Sequence, residues 1–225
     1  MSLHLVAAVL LSYVGGSVSF PALFARARGI DLRRTGSRKL GGSNLIRQAG
    51  ASLGVTAGIL DGLKGLVAVL AARALGLPLE AQLGAGVAAV AGQLWPVFHG
   101  FDGGRANATG WGFAIAVDGI AALVMAVPVV SALLLRAAVP SHPTRLLPIG
   151  ALASFAVWPA VIWEQEGTTP QVLAGLAVLA LVVLRRLTAG LRDDLATGAP
   201  LARVLANRTL FDRTELQTRG VVAVS

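Results

Sequence analysis

Long apolar runs dominate the pattern of hydrophobic and polar positions along this chain, and short polar stretches separate them. Several runs are about 17 to 25 residues long, which is the length that an α-helix needs to cross roughly 30 Å of hydrocarbon. The alternating segments of about ten residues that a transmembrane β-barrel requires do not occur in the sequence. The pattern therefore predicts an all-α, polytopic transmembrane helix bundle.

About seven membrane segments, with a short fourth, account best for the positions of the charged residues. If residues 111–135 formed a single span, three basic connections would fall outside the cell, although Lys and Arg concentrate in cytoplasmic loops. A short helix that ends near Asp118, followed by a helix that returns from there, removes this conflict. The predicted segments cover residues 3–24, 51–75, 83–98, 110–118, 120–135, 146–163 and 171–184.

This segment count also predicts the orientation and the domain organisation. The N-terminus lies outside and the C-terminus lies in the cytoplasm, because the basic residues between the first two spans belong on the cytoplasmic side. The first apolar run lacks the basic start and the cleavage site of a signal peptide, so we interpret it as a retained span. We expect a membrane domain over residues 1–190 and a cytoplasmic tail over residues 191–225.

The composition agrees with a membrane location. Hydrophobic residues make up 55% of the chain and charged residues only 13%, which argues against a soluble globular domain. We attribute the net charge of +8 to cytoplasmic loops and to attraction for anionic membrane lipids, and we expect no nucleic-acid partner. The chain has no cysteine, and we predict no metal and no cofactor. We expect a multi-pass protein of the cell inner (plasma) membrane, and its oligomeric state is left open.

The polar segment at residues 35–47 is the candidate functional site. It reads TGSRKLGGSNLIR and lies between two long apolar runs, so we expect it at a membrane surface. Its glycines permit close approach to a ligand, and its other side chains supply the donors and positive charge that phosphate needs. The glycines are Gly36, Gly41 and Gly42, and the donors are Ser37, Arg38, Lys39, Ser43, Asn44 and Arg47.

Two further features accompany this segment. A second glycine-rich loop, at residues 96–110, faces the same side of the membrane according to the segment count. Asp61 and Lys64 lie three residues apart near the middle of the second span, and therefore on one helical face. Because a charge there costs roughly 2.5 to 3.5 kcal/mol on insertion scales, we expect them to pair or to line a polar interior.

In their order and spacing, these motifs resemble those of the bacterial acyl-phosphate:glycerol-3-phosphate acyltransferases, which are small integral membrane enzymes. The resemblance begins at Gly16-Ser17 in the first span and continues to about residue 184. It includes residues 36–47, the sequence DGLKG at residues 61–65, and residues 92–109. The resemblance implies transfer of a fatty acyl group from acyl phosphate to glycerol 3-phosphate, which gives lysophosphatidic acid for phospholipid synthesis.

The resemblance also implies a set of site residues. The implied catalytic residues are Ser37, Asn44, Arg47 and Arg105. The residues implied in substrate or phosphate binding are Gly36, Gly41, Gly42, Ser43, Asp61, Lys64, Gly103, Gly104 and Thr109. The implied partners are acyl phosphate, glycerol 3-phosphate and membrane lipids.

Departures from the family pattern keep two alternatives open. Gln93 replaces a family histidine and Arg105 replaces a lysine, while residues 184–189 lack the His and Asn that the family carries near its last helix. His99 and His142 are the nearest candidates for a base, and neither lies at the family position. One alternative is therefore a catalytically altered or inactive homologue that binds phosphate or phospholipid. The other is a small transporter with the charged pair of the second span in its pathway.

Overall fold

Every regular element is a helix in the computed structural model, which describes residues 3–139 and 146–216. The helices are α1 (Leu3–Gly16), α2 (Phe20–Ala27), α3 (Gly42–Ala49), α4 (Ala51–Ala74), α5 (Leu79–Leu94), α6 (Asn107–Val117), α7 (Gly119–Ala138), α8 (Leu146–Glu166), α9 (Pro170–Thr188), α10 (Leu191–Leu195) and α11 (Leu201–Leu210), with a short 3-10 helix at Val97–His99. The predicted all-α fold is confirmed. The candidate base His142 lies outside the described residues.

Within the described ranges, five helical stretches are long and apolar enough to cross a membrane. They are His4–Ala27, Ala51–Ala74, Gly119–Ala138, Leu146–Glu166 and Pro170–Leu195. Large apolar side chains are exposed on the outside of the bundle, as at Leu123 with 73% exposure, and such a surface suits lipid rather than water. Helices α5 and α6 are shorter, with 16 and 11 residues, and more than half of the residues in each are buried.

The first apolar run is interrupted at residues 17–19, where α1 ends and α2 begins. Pro21 lies in the first turn of α2, a position at which its missing N–H is not needed. Lys64 of α4 donates hydrogen bonds to the carbonyl oxygens of Gly16 and Val18 beside this break, at 3.2 and 2.5 Å. A buried cation therefore satisfies backbone groups at the interruption, as the membrane interior requires.

Glycines allow two helix pairs to pack very closely. A Cβ atom added at Gly16 of α1 would lie 2.2 Å from the carbonyl oxygen of Ala89 in α5. One added at Gly65 of α4 would lie 2.0 Å from the carbonyl oxygen of Thr109 in α6. Both distances exclude a side chain, so these contacts depend on small residues, as is common between membrane helices.

A helix break at Asp118 separates α6 from α7, as predicted. The carboxylate of Asp118 accepts hydrogen bonds from the backbone amides of Ile120 and Ala121 at 2.9 and 3.0 Å, which caps α7. Phe113 of α6 packs edge to face on Trp158 of α8, with 5.3 Å between ring centroids. Helix α6 is thus fixed in the core, and its N-terminus holds the end of the second glycine-rich loop.

The segment after α9 forms two further helices that pack back on the bundle. Arg208 of α11 lies 2.5 Å from Asp194 of α10, and both side chains are only 1% exposed. Helix α11 contacts α9 and α8. Residues 211–216 are therefore brought back to the membrane bundle.

Candidate active site

Asn44 organises the first glycine-rich loop from the inside. Its side chain is fully buried, and its Oδ1 accepts a hydrogen bond from the backbone N of Ser37 at 3.0 Å. Its Nδ2 donates to the carbonyl oxygens of Leu32, Thr35 and Lys39 at 3.1, 3.1 and 3.2 Å. One amide side chain therefore fixes four backbone groups of the loop, and its polar atoms are directed to backbone rather than to a ligand.

The second loop contacts the first and is anchored at Gly103 and Gly104. The backbone amides of Gly103 and Gly104 donate to the last turn of α5 at 3.2 and 3.1 Å. A Cβ atom added at Gly104 would lie 2.8 Å from the carbonyl oxygen of Leu40, so glycine permits the two loop backbones to approach this closely. From α9, Arg185 donates to the carbonyl oxygen of Gly103 at 2.9 Å. The two loops thus form one unit.

A cavity of about 960 Å³ lies between the two loops. Its polar lining residues are Ser37, Arg38, Lys39, Ser43, Arg47, Asp61, Gln93, Arg105, Asn107, Thr109, Arg136, Arg186, Asp212 and Arg213. Its apolar lining residues include Ile46, Val55, Val129, Leu147 and Ala151. The volume is within the range of small-molecule sites. A polar end beside an apolar wall suits a ligand that combines an anionic group with an alkyl chain.

Two helices begin at this cavity without a side-chain cap. Helix α3 starts at Gly42 and α6 starts at Asn107, and the residue before each makes no side-chain capping hydrogen bond. The first backbone N–H groups of a helix have no intrahelical partner and carry the positive end of the helix dipole. Gly42, Ser43, Asn107 and Ala108 all line the cavity. The start of each helix therefore offers backbone donors to an anion.

Two cations of the loops meet at the carboxylate of Asp212, which belongs to the C-terminal segment, residues 189–216. Lys39 Nζ lies 2.5 Å from Oδ2 of Asp212, and Arg105 Nε lies 2.6 Å from its Oδ1. Lys39 also donates to the backbone carbonyl of Asp212. Arg47 lines the same cavity and is exposed to solvent. The cavity therefore binds an anion already, and that anion belongs to the protein itself.

Burial and neighbouring charges shift two pKa values in this cluster. Burial lowers the pKa of Lys39 to about 8, and the nearby Arg105 and Arg186 act in the same direction while Asp212 opposes them. Burial alone would raise the pKa of Asp212, but attraction by Arg105, Lys39 and Arg186 outweighs it and keeps that pKa below its usual value. The carboxylate of Asp212 is therefore ionised at neutral pH.

A buried polar cluster forms part of the inner wall of the cavity, between α4 and α5. Lys64 Nζ lies 2.8 Å from Oδ1 of Asp61 and also donates to Oε1 of Gln93. Nε2 of Gln93 donates to Oδ2 of Asp61 at 3.0 Å, and the hydroxyl of Thr109 donates to the carbonyl oxygen of Asp61 at 2.9 Å. The predicted pairing of Asp61 with Lys64 is confirmed, and Gln93 is the third member of the cluster. The members satisfy one another away from water.

Strained backbone is concentrated at the cavity. Arg38, Ala106 and Asp212 have φ angles of 55°, 53° and 49°, and all three residues line it. Such left-handed conformations cost a non-glycine residue roughly 1 to 3 kcal/mol and persist where surrounding contacts hold them. The contacts of Lys39 and Arg105 provide this support at Asp212. Strain of this kind is typical of functional sites.

Most of the site residues predicted from the sequence line this one cavity. They are Gly36, Ser37, Gly41, Gly42, Ser43, Arg47, Asp61, Gly104, Arg105 and Thr109. Asn44, Lys64 and Gly103 are not among the lining residues, and their contacts hold the loops and helices that form it. His99 is also outside the lining, and burial together with nearby Arg33 and Arg26 lowers its pKa.

Sequence reasoning missed Arg186 and Asp212 as cavity residues. Arg186 lies in the stretch where the family pattern has a His and an Asn, and the sequence alone indicates only a basic residue after the last predicted span. Its side chain is 1% exposed and donates to the carbonyl oxygen of Pro148 at 2.9 Å. In the sequence, only the neighbouring Arg185, at the end of an apolar run, distinguishes Arg186 from other basic residues. Asp212 follows a polar tail helix, where neither a motif nor a hydrophobic period marks it.

Comparison with known proteins gives consistent matches. The model of the glycerol-3-phosphate acyltransferase family matches residues 6–192. The chain is 41% identical over 125 residues to glycerol-3-phosphate acyltransferase 5 of Dehalococcoides mccartyi, an alignment that covers 55% of this chain and 54% of that relative. It is 36% identical over 186 residues to the glycerol-3-phosphate acyltransferase of Pseudomonas putida, which covers 82% of this chain and 92% of the relative.

Solved structures also resemble this fold. The glycerol 3-phosphate form of PlsY (YgiH), an integral membrane glycerol 3-phosphate acyltransferase, matches with a TM-score of 0.73 at 26% sequence identity. Its lysophosphatidic acid form matches with a TM-score of 0.72 at 25% identity. Both matches cover 87% of this chain and 93% of the solved chain.

Proposed function

Because the chain belongs to the glycerol-3-phosphate acyltransferase family, we propose that it transfers a fatty acyl group from acyl phosphate to the 1-hydroxyl of glycerol 3-phosphate. The products are lysophosphatidic acid and inorganic phosphate, so the enzyme serves phospholipid synthesis. One observation carries the proposal for this chain. The two glycine-rich loops, two open helix N-termini and several cations share a cavity that also has an apolar wall. Both substrates carry a phosphate, and one of them carries an alkyl chain.

The proposed transfer is a single displacement at the acyl carbon. The hydroxyl oxygen of glycerol 3-phosphate forms a bond to this carbon, and the bond from the carbon to the bridging phosphate oxygen breaks. The phosphate leaves with the electron pair, and the hydroxyl proton passes to phosphate or to water. Because an acyl phosphate already has a good leaving group, the protein contributes mainly by orienting the hydroxyl and by stabilising the charge on phosphate.

The geometry supports different roles for the candidate residues. Arg47, Arg105 and Ser37 bind phosphate together with the amides that begin α3 and α6, since all of these groups line the cavity. Asn44 acts as a positioning residue, because its hydrogen bonds fix the loop that carries Ser37. Lys64 supports the cavity from behind through its ion pair and its backbone contacts.

We further propose seven membrane segments, formed by α1 with α2, then α4, α5, the short α6, α7, α8 and α9. The N-terminus lies outside, and the cavity and the C-terminus face the cytoplasm at the cell inner membrane. The exposed arginines Arg26, Arg28 and Arg34 near the cavity loops support this orientation. Because the chain has no cysteine, a cysteine introduced at Arg28 can test it. An impermeant thiol reagent should label this cysteine in inside-out vesicles and not in intact cells.

The enzyme activity can be tested by phosphate release from palmitoyl phosphate, with and without glycerol 3-phosphate, in the detergent-purified protein. We expect release to require glycerol 3-phosphate and to fall by about tenfold or more in Ser37→Ala and Arg47→Ala, because each loses a donor to phosphate. Arg28→Ala is the matched control, since Arg28 is an exposed cation outside the cavity lining. Release that ignores the acceptor, or that survives both cavity substitutions, would contradict the proposal.

A binding protein without acyl transfer is the second candidate function. The observation that favours it is the buried Arg186 in the cavity, within the stretch where the family pattern has a His and an Asn. This candidate predicts that the protein binds inorganic phosphate or phospholipid but releases no phosphate from palmitoyl phosphate. A binding titration beside the release assay separates the two functions.

A further inference from the structure

We propose that the carboxylate of Asp212 occupies the phosphate site in the substrate-free protein, so that the C-terminal segment competes internally with substrate phosphate. The inference rests on the proposed function in one respect, because it takes Arg105 as a phosphate ligand, and it adds Lys39, which lines the same cavity. The match to the family ends at residue 192, so Asp212 belongs to a part of the chain that lies outside the match.

The contacts of Asp212 are those that a phosphate would make. Its two carboxylate oxygens are each bound by a different cation, Arg105 at 2.6 Å and Lys39 at 2.5 Å. Charge-assisted hydrogen bonds of this kind are roughly twice as strong as neutral ones. Both cations come from the candidate phosphate-binding loops, whereas Asp212 comes from the segment after α11. A phosphate that binds the same two groups must therefore displace the carboxylate.

The charges indicate which anions can displace it. One carboxylate carries a single negative charge, so it leaves the two cations with a net charge of about +1. A phosphate monoester carries a charge of about −1.5 to −2 at neutral pH and neutralises the pair more completely. An external monocarboxylate would gain nothing over Asp212, which is already in place at a high effective concentration. The internal carboxylate thus favours phosphates over carboxylates.

The C-terminal segment is held in place through α11, and its backbone is strained at Asp212. The buried ion pair between Arg208 and Asp194 fixes α11 to α10, and Nδ2 of Asn207 donates to Oε1 of Glu215 at 2.8 Å across the turn that follows α11. Asp212, within this turn, has a φ angle of 49°. Contacts with the two loop cations hold this strained residue, so release of the carboxylate relieves strain while the anchor keeps it near the cavity.

Phosphate binding to the full-length, detergent-purified chain tests this inference. Isothermal titration with inorganic phosphate would be compared for the wild type, Asp212→Asn and Asp193→Asn. If Asp212 fills the site for nine-tenths of the time, its loss should lower the Kd for phosphate about tenfold, because apparent affinity scales with the open fraction. Asp193 is an exposed carboxylate of the same segment, so its substitution should leave Kd unchanged.

A second readout separates displacement from a simple effect of charge. A cysteine placed at Phe211, which lines the cavity beside Asp212, would be the only thiol in the chain. Saturating phosphate should increase its rate of maleimide labelling in the wild-type background. In the Asp212→Asn background, labelling should be fast before phosphate is added. A cysteine at the exposed Ala202 of α11 is the control and should respond to neither change.

The outcomes separate this inference from the proposed function. Tighter phosphate binding in Asp212→Asn together with phosphate-dependent labelling supports it. Equal or weaker phosphate binding in Asp212→Asn overturns the inference, and so does labelling that does not respond to phosphate. Either result counts even if the protein transfers acyl groups, and Asp212 then only positions the two cations. If no variant binds phosphate and the wild type releases none from palmitoyl phosphate, the proposed function fails as well.

Discussion

Replacement of Asn44 provides the sharpest test of how the first loop is built. Asn44→Ala removes four hydrogen bonds between a fully buried side chain and the loop backbone. At roughly 0.5 to 1.5 kcal/mol for each bond, the loss amounts to about 2 to 6 kcal/mol if the loop does not rearrange. Several of the loop residues are exposed and can take up water, so we expect about 3 kcal/mol. Asn44→Asp should be worse, because a carboxylate would face three carbonyl oxygens.

The assay combines thermal unfolding of the detergent-purified protein with acyl transfer from palmitoyl phosphate. Both Asn44 variants should lower the melting temperature and reduce activity by at least about tenfold, because Ser37 loses its support. Gln48→Ala is the matched control, since it removes an exposed amide from the same helix. Wild-type melting and activity in Asn44→Ala would refute the reasoning that this side chain holds the loop.

Three further predictions concern the cavity and the bundle. Because burial lowers the pKa of Lys39 to about 8, this side chain loses its charge above that pH. We therefore expect the KM for glycerol 3-phosphate to rise severalfold between about pH 7 and 9. Lys39→Arg should flatten this rise, because arginine keeps its charge over that range. Gly16→Ala should destabilise the protein by about 2 kcal/mol or more in thermal unfolding, whereas Gly15→Ala, with no atom within 4 Å of its new Cβ, should not. Lys64→Met should cost about 3 to 5 kcal/mol by leaving Asp61 buried and unpaired, and adding Asp61→Asn should recover part of this loss in the same measurement.

Local patterns predicted the long helices that the structure contains. The apolar runs identified the long helices because lipid requires an apolar surface over the length of a span. The helix break at Asp118 followed from the distribution of charge, and its physical cause is the capping by this side chain. The pairing of Asp61 with Lys64 followed from their spacing on one helical face and from the cost of an isolated charge in a membrane.

Long-range contacts could not be predicted from these local patterns. The sequence pattern identified Asn44 as a polar residue of the loop, but whether its amide points to a ligand or to the backbone depends on how the loop folds around it. Arg186 has the pattern of a cytoplasmic charge, and only the packing of α8 and α9 shows that it is buried. The return of Asp212 depends on α10 and α11, whose mixed sequences carry no signal for the surface on which they pack.

The charge of the cavity is suited to holding both proposed substrates together. Among the residues that the structure describes, seven cationic side chains line it, namely Arg38, Lys39, Arg47, Arg105, Arg136, Arg186 and Arg213. Of the two lining carboxylates, Asp61 is already paired with Lys64, so Asp212 is the one that opposes them. Two phosphates together bring a charge of about −3 to −4, which this excess of cations can balance.

In the proposed reaction the acyl group moves from one phosphate-bearing molecule to another, so the number of phosphates in the cavity stays the same. If the cations bind the phosphates of the proposed substrates, they also bind those of lysophosphatidic acid and inorganic phosphate. Such uniform binding slows product release without assisting the reaction. A carboxylate tethered beside Lys39 and Arg105 can assist product release. It replaces the departing phosphate, so neither cation is left unpaired. On this reasoning, Asp212→Asn should bind phosphate more tightly and turn over more slowly wherever release limits the rate.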